Sequence, residues 1–261
     1  MNEVILEKKG KTAYVRLNRP ERKNAINLEV RKGLLEIWAD VEADSGICSI
    51  IVTGGEEFFS VGQDIIELKE FREKHPLSEV PLAPLPFNAA ETAGANVRKP
   101  IISAISGFCL GWGFFFAMEG SDIRVASPTA VFGMPEIERG IIPFLGFQPK
   151  LAKHFPSSIA MEMLITGKHI KAEDACRYGF VNKIVPKEEL MSAAQEYADA
   201  INNMSPYIVT KIKQIFRDVT AADPISVSYS DSIASEGRYH PDYLEGIRAF
   251  GEKRKPQWKK L

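Results

Sequence analysis

Two glycine-bearing loops constrain this chain more than any other feature: Phe59-Ser60-Val61-Gly62-Gln63-Asp64-Ile65 and Ser106-Gly107-Phe108-Cys109-Leu110-Gly111-Trp112-Gly113. Each follows a short β-branched run, Ile50-Ile51-Val52-Thr53 and Ile101-Ile102-Ser103-Ala104-Ile105, and leads into an apolar helical pattern. A strand, a glycine turn and a helix start leave backbone N–H groups without intrahelical acceptors, with the helix dipole behind them. One such turn is an ordinary helix entry. Two that converge make a pair of donors able to hold a developing oxyanion.

The rest of the pattern places these loops in a mixed α/β fold. Val4-Ile5-Leu6 and Ala13-Tyr14-Val15-Arg16-Leu17 read as a hairpin around Lys8-Lys9-Gly10-Lys11. From Leu28 to Asp44, Val30, Leu34, Ile37, Trp38 and Val41 recur at helical spacing. A strand over 48–53, a helix from Ile65 to Arg72, a helix near 88–97, a strand over 101–105, a helix near 112–119 and a strand over 122–126 follow. Strands and helices alternate at roughly fifty-residue intervals, which favours stacked ββα units over a doubly wound sheet. Residues 75–87 hold four prolines and read as a lid, a pocket wall or a surface insertion. Beyond Lys187 the chain reads as helical. Ile208, Ile212, Ile215, Phe216 and Val219 share one face, an apolar stripe that calls for a second surface.

Composition excludes several classes. With 261 residues, 45% of them hydrophobic, the chain can bury a sizeable core. A formal charge of −1 leaves no basic footprint for nucleic acid or an anionic membrane. The apolar runs are too short and too often interrupted by glycine to cross a bilayer, and Met1-Asn2-Glu3-Val4 runs straight into a strand pattern. Cys48, Cys109 and Cys176 are odd in number and widely spaced, as reduced thiols are. Together these features predict a soluble, cytoplasmic protein. His75, His154, His169 and His240 show no metal-ligand spacing, so no metal is expected. Gly111-Trp112-Gly113 is followed by Phe116 where a dinucleotide fingerprint needs glycine, and there is no nucleophile elbow or phosphate loop.

The two loops, together with Phe132-Gly133-Met134-Pro135-Glu136-Ile137-Glu138-Arg139-Gly140-Ile141-Ile142-Pro143, resemble the crotonase superfamily of enoyl-CoA hydratases and isomerases. The resemblance runs in order from Asn18-Arg19-Pro20 to Ala249-Phe250-Gly251-Glu252-Lys253-Arg254-Lys255. It implies a spiral of ββα units over residues 1–200, carrying a CoA-thioester site, and a helical region over 201–261 for oligomerisation and CoA contacts. It implies a homotrimer or hexamer, and no cofactor beyond the CoA moiety of an acyl-CoA substrate.

Carried over residue by residue, the resemblance gives Gln63 and Trp112 the backbone donors of the oxyanion hole, and Glu136 the role of catalytic acid or base. Ile65, Gly111, Phe115 and Phe144 match acyl-pocket positions. Arg22 and Lys23 match CoA contacts, as do Phe250 and Lys253, which reach across from a neighbouring subunit. Three departures matter. Trp112 stands where glycine is usual and would be strained if the turn required positive φ. Phe144-Leu145 replaces the usual glycine after Ile-Pro. Phe115 stands where hydratases keep a second glutamate, leaving Glu136 as the only carboxylate at a family catalytic position, with Glu119 and Glu138 as conceivable substitutes. Asp64 and Asp122 read as local caps. The expected reaction is therefore double-bond isomerisation or an atypical hydration of an acyl-CoA ester through an enolate. The alternatives are a crotonase-like decarboxylase or C–C hydrolase, and a non-catalytic acyl-CoA-binding protein if Trp112 blocks the tunnel.

Overall fold

The computed structural model describes residues 3–74 and 89–258; the proline-rich segment read as a lid lies outside them. Its strands, in chain order, are β1 (Val4–Lys9), β2 (Thr12–Leu17), β3 (Ser49–Thr53), β4 (Phe58–Ser60), β5 (Ile101–Ile105), β6 (Phe108–Leu110), β7 (Ile123–Ala126), β8 (Val131–Gly133), β9 (Ile170–Lys171) and β10 (Lys183–Ile184). The helices are α1 (Leu28–Ala43), α2 (Ile65–Lys74), α3 (Ala89–Thr92), α4 (Trp112–Glu119), α5 (Phe147–His154), α6 (Ser157–Thr166), α7 (Ala172–Arg177), α8 (Leu190–Asn202), α9 (Pro206–Thr220), α10 (Pro224–Gly237) and α11 (Pro241–Gly251).

Two sheets result, one ordered β1-β2-β3-β5-β7-β10 and the other β4-β6-β8-β9. Each repeat of the spiral places its first strand in the larger sheet and its second in the smaller. The repeats are β3-β4-α2, β5-β6-α4, and β7-β8 followed by a 3-10 turn over Pro135–Arg139. Pairing is parallel from β2 through β3, β5 and β7 to β10, and from β4 through β6 to β8. The third repeat follows the second far more closely than the second follows the first, so the even spacing expected from sequence does not hold. The three-residue strands β4, β6 and β8 are too short for an alternating pattern to announce them.

Every residue of β3 and β5 is buried, as a parallel strand covered on both faces requires. The period of two sorts their side chains. Ile50, Val52, Ile101 and Ile105 enter the main core with α1 and the aromatic cluster. Ile51, Ile102 and Ala104 face the opposite side, where Leu190, Ala193, Ala194 and Ala198 of α8 cover them. α1 turns Val30, Leu34, Trp38 and Val41 inward, and Asn27 caps it by accepting from Val30 N at 2.9 Å.

Three consecutive phenylalanines of α4 point three ways. Phe114 packs with Phe132, Phe147, Phe155 and Phe180 in the core. Phe116 meets Trp38, Phe59 and Trp112, and Phe115 contacts Phe147. Helix α9 is turned about relative to an ordinary surface helix. Two of its three cations face inward: Lys213 lies 2.6 Å and Arg217 3.1 Å from Asp122. Its apolar stripe faces out, with Ile212 62% and Val219 75% exposed.

Candidate active site

Adjacent parallel strands end at a common edge, and the C-terminal ends of β4, β6 and β8 deliver Gln63, Trp112 and Glu136 to one place. The first delivery depends on a parallel bridge. Ile26 N donates to Gly62 O (2.8 Å) and Asp64 N donates to Ile26 O (3.0 Å), so Ile26 bonds the residues on either side of Gln63. The N–H of Gln63 itself is thereby turned away from Ile26. Asp64 Oδ1 then accepts from the N–H groups of Ile66 and Glu67 at the start of α2, the capping role expected of it, while Oδ2 lies 3.2 Å from Arg19.

The second donor is Trp112 N–H, the first residue of α4, which has no intrahelical acceptor by position. The positive φ of this turn falls on Gly111, at +52°, and not on Trp112, so the indole adds no backbone strain. The two loops touch through glycine. A methyl group built on Gly62 would lie 2.9 Å from Leu110 O and 3.0 Å from Trp112 N. One built on Gly111 would lie 2.7 Å from Glu136 Oε1.

Glu136 follows Pro135 in the 3-10 turn, and its backbone oxygen accepts from Ile141 N at 3.0 Å. Its Oε2 is shielded from solvent and has no partner among the described residues. Desolvation by the surrounding apolar wall pushes its pKa up to about 7. A carboxyl group poised there takes and returns protons near neutral pH.

These groups line a cavity of about 380 Å³. Ile65, Gln63, Gly111, Trp112, Glu136 and the aromatic residues Phe115, Phe144 and Phe250 all border it, as does the exposed Arg22. Phe115 is 2% exposed, so the wall where a second glutamate would stand is apolar. Lys23 and Lys253 do not border the cavity. Lys23 Nζ lies over the rings of Phe58 and Phe108, and Lys253 borders an adjoining pocket beside Phe250. Phe250 needs no neighbouring subunit to reach the site. α11 packs on α2 and on the Pro135–Arg139 turn of its own chain, with the Arg139 guanidinium 4.6 Å from the Phe250 ring centre. The expectation was a contact from a neighbouring subunit; in this chain the ring borders its own cavity.

Neither substitute carboxylate borders the cavity. Glu119 is held 2.9 Å from Lys150, whose ammonium also lies 5.0 Å from the centre of the Phe115 ring. Glu138 packs toward Gly167. Asp122, expected as a local cap, accepts from Ile101 N at 2.8 Å and also anchors α9.

Three arginines at the cavity escaped the sequence reading: Arg31, Arg139 and Arg238. Arg31 carried a signal, because it shares the inward stripe of α1 with Leu34 and Trp38, where a charge is out of place. Arg139 and Arg238 carried none; they lie over Phe250 and Phe144, neither of them a neighbour in sequence.

The sequence profile of the enoyl-CoA hydratase/isomerase family matches residues 7–260. The short-chain-enoyl-CoA hydratase of Clostridium acetobutylicum is 37% identical over 257 residues, covering 98% of this chain and 97% of that protein. The carnitinyl-CoA dehydratase of Proteus mirabilis is 35% identical over 267 residues, with 97% of each covered. Among solved structures, a carnitinyl-CoA hydratase from Mycobacterium avium superposes with a TM-score of 0.85 at 27% identity, over 99% of both chains. A methylmalonyl-CoA decarboxylase bound to 2-nitronate-propionyl-CoA superposes with a TM-score of 0.84 at 26% identity, also over 99% of both.

Proposed function

The chain belongs to the enoyl-CoA hydratase/isomerase family, and from that premise we propose that it moves a double bond within an enoyl-CoA ester by shuttling one proton through Glu136. The observation that carries this reading is that Glu136, among the described residues, is the cavity's one carboxylate outside an ion pair, since Asp64 is paired with Arg19. Glu136 stands against Gly111 beside two converging loops, while Phe115 closes the position from which a second carboxylate would act.

The thioester oxygen of a 3-enoyl-CoA accepts hydrogen bonds from the Gln63 and Trp112 N–H groups. Ionised Glu136 removes a proton from C2, the electrons pass to the thioester oxygen, and the resulting dienolate is held by the two donors. Each well-placed donor is worth roughly 3–4 kcal/mol to such an anion. Protonated Glu136 then delivers the proton to C4, which leaves the 2-enoyl ester and regenerates the carboxylate. Water enters no step, which suits the apolar wall at Phe115. The α-helical backbone of Trp112 favours an open hole over a blocked one, and so an enzyme over a binding protein.

The test is product analysis with crotonyl-CoA and 3-hexenoyl-CoA. The 3-enoyl ester should be isomerised faster than crotonyl-CoA is hydrated, and Phe115→Glu should raise hydration relative to isomerisation. Efficient hydration of crotonyl-CoA by the unaltered protein would overturn the proposal.

The same reading includes assembly. The outward stripe of Ile208, Ile212, Ile215, Phe216 and Val219 on α9 supports a homotrimer or a hexamer built from two of them. The free thiols Cys48, Cys109 and Cys176 support a reducing, cytoplasmic setting. No helix among the described residues is long and apolar enough to cross a membrane.

A further inference from the structure

We propose that the acyl group accepted by this cavity carries a carboxylate, so that the preferred ligand is the mono-CoA ester of a short dicarboxylic acid, bound through Arg31 and the Trp112 indole. The inference rests on the acyl-CoA reading above and names the substrate class of that same cavity.

It starts from an imbalance of donors. Arg31 is 3% exposed and borders the cavity, yet its Nη1 has no hydrogen-bond partner among the described residues. The indole Nε1 of Trp112, also buried and also at the cavity, lacks one too. The guanidinium lies 5.8 Å from the centre of the Trp112 ring, so the two sets of donors belong to one wall. Arg139 Nε, at the same cavity, is a third buried donor without a partner among the described residues.

Among the described residues no carboxylate answers this wall. Asp64 is paired with Arg19, and Glu67, the acid nearest in effect to Arg31, is not within ion-pair distance and accepts from Leu28 N. Burial draws the Arg31 pKa down to about 10, so the group stays cationic at neutral pH. Glu136 must be free to exchange its proton.

A buried guanidinium without a counter-ion is costly to hold, and that cost has already been met in folding. A ligand carboxylate entering beside it gains charge-assisted hydrogen bonds at the expense of its own desolvation alone. Arg31 is nearly closed to solvent, so only the portion of a ligand that enters the cavity reaches it. The chain of such a ligand must also be short, since the thioester oxygen would be held by the backbone N–H of the residue whose indole packs on Arg31. A quaternary ammonium, such as a carnitinyl group carries, would bring like charge against the same arginine and is disfavoured.

Binding of two saturated esters of equal chain length, glutaryl-CoA and pentanoyl-CoA, isolates the carboxylate without involving turnover. Titration calorimetry with the purified full-length protein should show glutaryl-CoA tighter by at least about tenfold. Arg31→Gln should bring the ratio to within about twofold, and Arg31→Lys should keep part of the preference. If Arg31→Gln does not fold, as judged by its melting transition, the wild-type and Arg31→Lys ratios decide. Equal affinities in the wild type, or equal weakening of both esters in an Arg31 variant, would overturn the carboxylate while leaving an acyl-CoA site in place. Failure of both esters to bind would instead overturn the acyl-CoA reading beneath it.

Discussion

Replacing Glu136 by Gln should cut activity at least about a hundredfold and stabilise the protein, and the stabilisation should fade in acid. The carboxyl group titrates near 4.5 when unfolded and near 7 when folded, because the cavity wall desolvates its charged form. Between those two pH values the unfolded chain gives up its proton first. Stability therefore falls as pH rises from about 4.5 to about 7, stays low above that, and carries no such penalty below. At about 1.4 kcal/mol per pH unit the full difference would be about 3.5 kcal/mol. Part of the residue still faces the open cavity, where water screens the charge, so about 1–3 kcal/mol is expected. Gln resembles the protonated acid and cannot ionise. Urea unfolding of both proteins at pH 5 and pH 8 should show the variant gaining on the wild type by that amount at pH 8 relative to pH 5. The same variant should lose at least about a hundredfold in kcat while still binding a CoA ester. A difference that is the same at both pH values would refute the desolvated carboxylate, whatever the kinetics showed.

Three further outcomes are expected. The wild-type rate of isomerisation should rise with pH through a limb near 7 as Glu136 becomes an effective base; a limb near 4.5 in a kcat/KM profile would count against it. Gly111→Ala should cost about 1–2 kcal/mol in thermal unfolding and at least about tenfold in kcat, because its φ is positive and its new methyl group meets Glu136 Oε1. Light scattering should give a mass near three or six times 29.1 kDa. Ile212→Asp should shift it toward the monomer with the melting transition lowered, and a monomeric wild type would remove the assembly proposal.

The spiral and its turns were legible because local rules dictate them. The β-branched runs specified β3 and β5, and the helical spacing after the glycines specified α2 and α4, within a few residues, whereas β4, β6 and β8 carried no such signal. What escaped depends on long-range placement. Nothing local in Phe250 says which chain it serves; the packing of α11 on α2 decides that. Phe115 and Glu119 lie on one helical face by spacing, yet Lys150 captures the carboxylate outside the cavity. Arg31 was the missed clue of another kind, a cation on an apolar stripe, visible in the sequence but informative only once no acid among the described residues was found to pair with it.

The edge where β4, β6 and β8 end assigns two kinds of chemistry to two kinds of inheritance. On the reaction proposed above, the anion-holding donors are peptide groups, and an indole at Trp112 changes what surrounds them without deleting them. On the same proposal the proton carrier is a side chain, Glu136, and phenylalanine at position 115 supplies none. A lineage built on this edge can therefore keep the intermediate and exchange its fate. The backbone preserves the capacity to make an enolate, while mutation is free to decide what becomes of it.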